Sequence, residues 1–214
     1  MPLDIGTDHA YIPIYLIKNG ICERAVASDI GSGPLGRAVE NARRFGVEDK
    51  IVFYRADGIV GTEPERNGVT DIIIAGMGGE LIAKIISESE YTRIPGVRLI
   101  LQPMSSLQEI RGYLAEMGYE ILDEKLCRSG GRYYTVLSTE YDGVRREVPP
   151  VRLEIGNVDL NEADPLVNGF LDAVAGKYRR QIEGKRQGGL PTEIEEEMLR
   201  ELREIAAARG HMIE

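Results

Sequence analysis

The chain has 214 residues, 43% hydrophobic and 29% charged, a balance that excludes an intrinsically disordered protein. Its formal net charge of −9 excludes a nucleic-acid binder that works through its whole surface, though not one with a local basic face. No apolar run approaches the ~20 residues that span a bilayer. The opening Met-Pro-Leu-Asp-Ile-Gly lacks the basic and apolar regions of a secretory leader, so the expected location is the cytoplasm.

Taken in order, short apolar runs alternate with amphipathic stretches. The pattern predicts strands at Pro2–Ile5, Arg24–Asp29, Lys50–Tyr54, Val69–Ala75 and Val97–Leu101. Helices are expected between and after them at Ala10–Asn19, Pro34–Phe45, Gly79–Glu88 and Ser106–Met117. Runs such as Asp71-Ile-Ile-Ile-Ala75 read as strands buried on both faces, and the β-α rhythm implies right-handed crossovers and a parallel sheet. After Met117 the rhythm breaks. Tyr119–Leu126 and Arg132–Thr139 flank Cys127-Arg-Ser-Gly-Gly131, a hairpin signal that adds an antiparallel end to the sheet.

Beyond Val148-Pro-Pro150 the composition shifts. Leu166, Phe170, Val174, Tyr178 and Ile182 form a helical stripe within a helix expected from Asn161 to Gln187. After Gly188-Gly-Leu-Pro191, Thr192 with Glu195 reads as a capping box, and a second stripe follows at Ile194, Met198, Leu202 and Ile205. The expected fold is therefore a Rossmann-like α/β sheet, mostly parallel with an antiparallel hairpin, over residues 1–148. An antiparallel helical hairpin is expected over 149–214.

Three carboxylates mark successive strand ends. Asp4-Ile-Gly6 ends the first, Asp29 the second, and Asp57-Gly58 follows the third. An acid-x-Gly strand end suits a sulfonium nucleoside such as S-adenosylmethionine: Gly6 lets the backbone approach the amino-acid moiety, and Asp4 attracts its ammonium. Asp29 is placed to accept from ribose hydroxyls, and Asp57 from an adenine amino group. Capping of the following helices is the alternative role for each acid taken singly. Gly31-Ser-Gly-Pro-Leu-Gly36 is a literal G-x-G-x-x-G that would suit a dinucleotide, but that reading leaves the Asp4-Ile-Gly6 strand without a role. It also sets Asp29 against the diphosphate.

The fourth strand ends in Ile74-Ala-Gly-Met-Gly-Gly-Glu80 and the fifth in Leu101-Gln-Pro-Met104, which bring bare backbone and an amide to one edge. Cys22, Cys127, His9 and His211 are too few and too scattered for a structural zinc site, and no metal is expected.

Asp4-Ile-Gly-Thr-Asp-His-Ala-Tyr11, Ala75-Gly-Met-Gly-Gly79 and Leu101-Gln-Pro103 together resemble the signatures of bacterial tRNA (adenine 22-N1)-methyltransferases. The resemblance runs from Leu3 to about Thr139, and the terminal helical hairpin is similar to that family's coiled-coil appendage. Met104 stands where Asn would be expected, and Thr135 where the family often has Glu. The resemblance implies methyl transfer from S-adenosylmethionine to an adenine N1 in the tRNA D-arm region. It implies Asp8, Met77 and Gln102 as catalytic candidates, and Asp4, Gly6, His9, Asp29, Ile30, Asp57, Gly58 and Gly76 as cofactor contacts. Asp8 has helix capping as its alternative role, and Tyr11 either stacks on the base or packs. Candidate tRNA cations are Arg37, Arg43, Arg44, Lys50 and Arg55, with Lys177, Arg179, Arg180, Lys185 and Arg186 on the hairpin. The rivals are methylation of a small molecule or protein, and non-catalytic cofactor binding.

Overall fold

A computed structural model describes residues 1–160 and 164–213. They divide into two compact units: Met1–Leu122 with Val136–Arg146, and Asp123–Thr135 with Glu147–Glu214.

The first unit carries β1 (Pro2–Ile5), β2 (Ala25–Asp29), β3 (Ile51–Arg55), β4 (Asp71–Gly78) and β5 (Arg98–Ser105). Interleaved are α1 (Tyr11–Lys18), α2 (Ser32–Arg44), the short α3 (Pro64–Asn67), α4 (Gly79–Ser87) and α5 (Leu107–Met117). Two further strands, β6 (Tyr119–Ser129) and β7 (Arg132–Tyr141), complete a seven-stranded sheet of order β3-β2-β1-β4-β5-β7-β6. Strands β1 to β5 pair in parallel and β7 is antiparallel to β5. The chain leaves β1 toward β2 on one side and returns to β4 on the other, so the topological switch point lies at β1.

Alternation along the strands builds two cores. Leu3, Val26, Ile72, Ile74, Leu99 and Leu101 point to one face, under α4 and α5. Ala25 and Ala27 point to the other, where Ala38 and Ala42 of α2 join Ile14 and Ile17 of α1. Burial on both faces explains the unbroken isoleucines of β4. On the α1 side a groove of about 750 Å3 remains, lined by Ile12, Leu16, Cys22, Ile73, Ile100 and Val136 among others.

Several strands outrun their expected ends, and at the carboxyl edge β4 and β5 do so together. Strand β4 continues to Gly78 and β5 to Ser105, paired at Ala75–Gln102, Met77–Pro103 and Gly78–Ser105 with register shifts between them. Glycine and proline read as turn signals in the sequence, but in a bulged pair they are tolerated. Gly79 then serves packing: a Cβ there would lie 2.3 Å from the Ser106 carbonyl oxygen at the start of α5. Overpacking against backbone costs about 1–3 kcal/mol, so Gly79→Ala should lower the melting temperature by about 3–10 °C. An unchanged calorimetric melt would contradict this account of the turn.

In the second unit the outer part of the hairpin packs with α6 (Pro150–Ile155), α7 (Val167–Gln187) and α8 (Glu193–Ala208). Phe170, Val174, Tyr178 and Ile182 meet Met198, Leu199, Leu202 and Ala206. The expected start of the first long helix at Asn161 lies outside the described residues, and α6 was not expected. Ile194, assigned to the apolar stripe, is instead 75% exposed. The capping box is also corrected. Thr192 Oγ1 donates to Glu196 Oε1 at 2.7 Å, while Glu195 turns to Lys185 Nζ at 2.8 Å, because a charged partner outcompetes a backbone amide.

Candidate functional site

Strand register sets the site. Ile5 pairs with Ser28 on one side and Ile74 on the other, so Gly6, Asp29 and Ala75 fall in one row at the carboxyl edge. Asp29 pairs with Arg55 and Ala75 with Gln102, which extends that row to five strands. The predicted residues of β1, β2, β4 and β5 therefore meet at the switch point.

Asp4 lies one layer deeper and is 4% exposed, with its Oδ2 accepting from the Thr7 hydroxyl at 2.6 Å. Burial pushes its carboxyl up to about 7, with Asp29 adding to the rise and the Thr7 bond opposing it. Gly6 has φ +69, and a Cβ there would stand 2.1 Å from Met77 Cε. Met77 thus rests on the bare glycine, and a side chain at position 6 would both strain the turn and push Met77 off it.

Asp29 splits its carboxylate. Oδ1 accepts from the Gly31 amide at 2.8 Å and Oδ2 from the Asp8 amide at 3.4 Å. Asp29 thus closes the turn ahead of α2 without capping it, since the N-cap is Gly31 and no side chain bonds the first helical amides. Ile30 beside it is 62% exposed, a large apolar side chain at the rim with no core to fill. Asp57 is exposed beyond β3 and has no hydrogen bond among the described residues, and Gly58 follows at φ +68.

Asp8 sits in the left-handed region at φ +41, and its half-exposed carboxylate receives Arg37 Nη2 at 2.5 Å. The other oxygen faces His9 Nε2 at 3.5 Å, and the His9 ring stacks on Tyr11 with centroids 5.2 Å apart. Asn41, one helical turn beyond Arg37 on α2, donates to the His9 carbonyl at 3.0 Å. The helix α2 therefore grips the Asp8–His9 turn at two points. Across the edge, the Gly76 amide donates to Gln102 Oε1 at 3.1 Å, and Gln102 Nε2 donates to the Pro103 carbonyl at 3.0 Å. Gln102 thereby fixes the exposed bulge at Gly76 in β4, whose φ of +77 suits glycine.

Sequence reasoning missed Thr7 and Asn41, and placed Arg37 only among the tRNA cations. The i, i+4 spacing of Arg37 and Asn41 was the available signal, but nothing in the sequence says which turn that face meets. Much of the proposed basic surface is already paired. Arg43 holds Glu48, Lys177 holds Glu154, Lys185 holds Glu195 and Arg186 holds Glu196. Among the described residues no carboxylate pairs with Arg44, Arg55, Arg179 or Arg180. The G-x-G-x-x-G follows β2, not the switch-point strand β1, and Gly33 and Gly36 lie inside α2. A dinucleotide cradle would need it after β1. Among the described residues there is no group of three or more His, Cys, Asp or Glu that could hold a metal, and no helix is long and apolar enough to cross a membrane.

Known proteins place this arrangement. Over 149 residues the chain is 36% identical to the tRNA (adenine(22)-N(1))-methyltransferase of Bacillus subtilis, a match covering 66% of this chain and 61% of that protein. The structure of the Streptococcus pneumoniae protein Sp1610 in complex with S-adenosyl-L-methionine superposes with a TM-score of 0.79 at 29% identity. That match covers 95% of this chain and 91% of the other. The Bacillus subtilis m1A22 tRNA methyltransferase TrmK matches with a TM-score of 0.72 at 27% identity, covering 100% and 92%. A family model for the methyltransferase domain matches residues 1–137, the span that holds every strand of the carboxyl-edge row, and the chain belongs to that family.

Proposed function

We propose that the chain transfers the methyl group of S-adenosylmethionine to N1 of adenine 22 in the D-arm region of tRNA, in the cytoplasm. The observation that carries this reading is the row Asp29–Gly6–Ala75–Gln102, flanked by the outward-held Asp8. It is joined by the likeness to a tRNA (adenine(22)-N(1))-methyltransferase over 149 residues.

The residues fit the cofactor. Gly6 bares its backbone at the edge, where the Met77 side chain rests and would move aside for the ligand, Asp29 offers carboxylate oxygens level with it, and Asp4 lies beneath. Asp29 and Asp57 would hold the nucleoside, with Ile30 against the adenine. Asp4 would favour the ammonium group, and His9, Gly58 and Gly76 would complete the wall. When bound, the cofactor supplies an electrophilic methyl on a sulfonium.

Adenine N1 carries a free lone pair at neutral pH, so the protein need not remove a proton before attack. Orientation is the main requirement, and holding two reactants in line is worth roughly 7–11 kcal/mol in favourable cases. Gln102 fixes the Gly76 bulge and Met77 lies over Gly6, and together they would shape the side from which the base enters. The methylated ring is cationic, and Asp8 would supply the carboxylate that balances it.

The test incubates the full chain with methyl-labelled cofactor and tRNA, then maps the label by nucleoside digestion. Label is expected as 1-methyladenosine at position 22, lost when that adenine is replaced by guanine. Binding should weaken steeply between 50 and 200 mM salt, as phosphate contacts require. Label on protein or small molecules alone would favour the rival methyltransferase readings, and cofactor binding without transfer would favour a non-catalytic role.

A further inference from the structure

We propose that Arg37 is an exchangeable counter-ion of Asp8. In the RNA-free protein it holds the Asp8 carboxylate, and in the complex it passes to an RNA phosphate beside the target base. The inference rests on the tRNA reading above.

The pairing as it stands conflicts with the chemistry. With Arg37 Nη2 2.5 Å from Asp8 Oδ1, the field of the carboxylate is opposed by the guanidinium, and it stabilises a methyladeninium ring less than a free carboxylate would. Yet the backbone keeps Asp8 at φ +41, an uncommon conformation for a non-glycine residue, and turns its carboxylate outward. A strained residue whose charge is neutralised by a partner makes sense when that partner can leave.

Three features allow the exchange. Both side chains are half exposed, so the ion pair forms in a high dielectric and adds little stability. A guanidinium binds phosphate in the same forked geometry as carboxylate, so an RNA phosphate competes on equal terms. The turn does not depend on Arg37 alone, because Asn41 still holds the His9 carbonyl and Asp29 the Asp8 amide. Release of Arg37 would free the Asp8 carboxylate and leave the turn in place. Arg37 is thus a positioning residue that couples RNA docking to the charge state of the site.

The experiment measures the affinity of a tRNA transcript with S-adenosylhomocysteine present, across a salt series. The proteins are wild type, Asp8→Asn, Arg37→Gln and the double variant, and asparagine tolerates the left-handed conformation. Asp8→Asn is expected to bind about two- to fivefold tighter, the scale of one exposed ion pair. Arg37→Gln should bind more weakly, with a log–log salt slope shallower by about one. In the double variant the gain from Asp8→Asn should vanish. A gain that persists without Arg37 would show that Asp8 merely repels RNA, and an unchanged slope in Arg37→Gln would show that Arg37 meets no phosphate. Either result overturns the exchange while leaving tRNA binding intact. Failure of the wild type to bind tRNA would instead overturn the substrate reading itself.

Discussion

Asp8→Asn should lower the single-turnover rate of methyl transfer by about 10²-fold at saturating tRNA and cofactor, the low end for loss of one preorganised electrostatic contact. The low end applies because the Asp8 side chain is half exposed and water screens part of its field. Folding should be nearly unaffected. The carboxylate makes no buried contact, its pair with Arg37 is at the surface, and asparagine adopts the same backbone conformation at little cost. Rapid-quench measurement, with calorimetry on the same preparations, separates the outcomes. A rate within threefold of wild type would reduce Asp8 to a turn-forming residue.

Asp4→Asn should move stability and cofactor affinity in opposite directions. The Asp4 carboxyl is raised from 3.8 to about 7, chiefly by burial. A carboxyl raised in the folded state contributes stability that is complete below its unfolded value near 4. That contribution is lost as pH rises through 7. A shift of about three pH units corresponds to roughly 4 kcal/mol at most. At pH 8 to 9 the cofactor-free wild type carries that cost and the asparagine variant does not. Because the amide oxygen still accepts from Thr7, the variant should melt several degrees higher there and no higher at pH 4. Its affinity for S-adenosylmethionine should fall about tenfold or more, since the ammonium loses a desolvated carboxylate. Wild-type affinity should itself rise between pH 6 and 8 as Asp4 ionises. A variant that is no more stable at pH 8.5, or binds cofactor as tightly, would contradict the placement of Asp4 beneath the ligand.

These expectations rest on features that were unequally legible in the sequence. Strand β1 was readable to the residue, because its buried run, with Asp4 inside it, stops at Gly6. The Asp4, Asp29 and Gly6 positions followed from strand ends, since register then sets them side by side. The continuation of β4 and β5 through glycine and proline was not legible, because local propensity signals a turn and only the bulged pairing of the two strands overrides it. Nor was the choice of Glu195 for Lys185, which depends on the facing helix. Asp8 was identifiable as a candidate, but its partner was not. Arg37 lies 29 residues away and meets Asp8 only because α2 packs against α1 and β2, beside the loop that follows β1. Long-range pairing of exposed charges leaves no periodic trace in a chain. Thr7 was hidden for a related reason, since its hydroxyl matters only once Asp4 is known to be buried.

The central claim is that the ends of β1, β2 and β3 hold a sulfonium nucleoside. A crystal structure of the protein with S-adenosylhomocysteine tests it most directly. The account predicts ribose hydroxyls about 3 Å from the Asp29 carboxylate, the amino-acid moiety over Gly6 with the Met77 side chain displaced from it, and the sulfur turned toward Asp8. A nucleoside seated elsewhere, in the apolar groove between α1 and β5 for example, would contradict it, and the roles given to the edge carboxylates would have to be withdrawn.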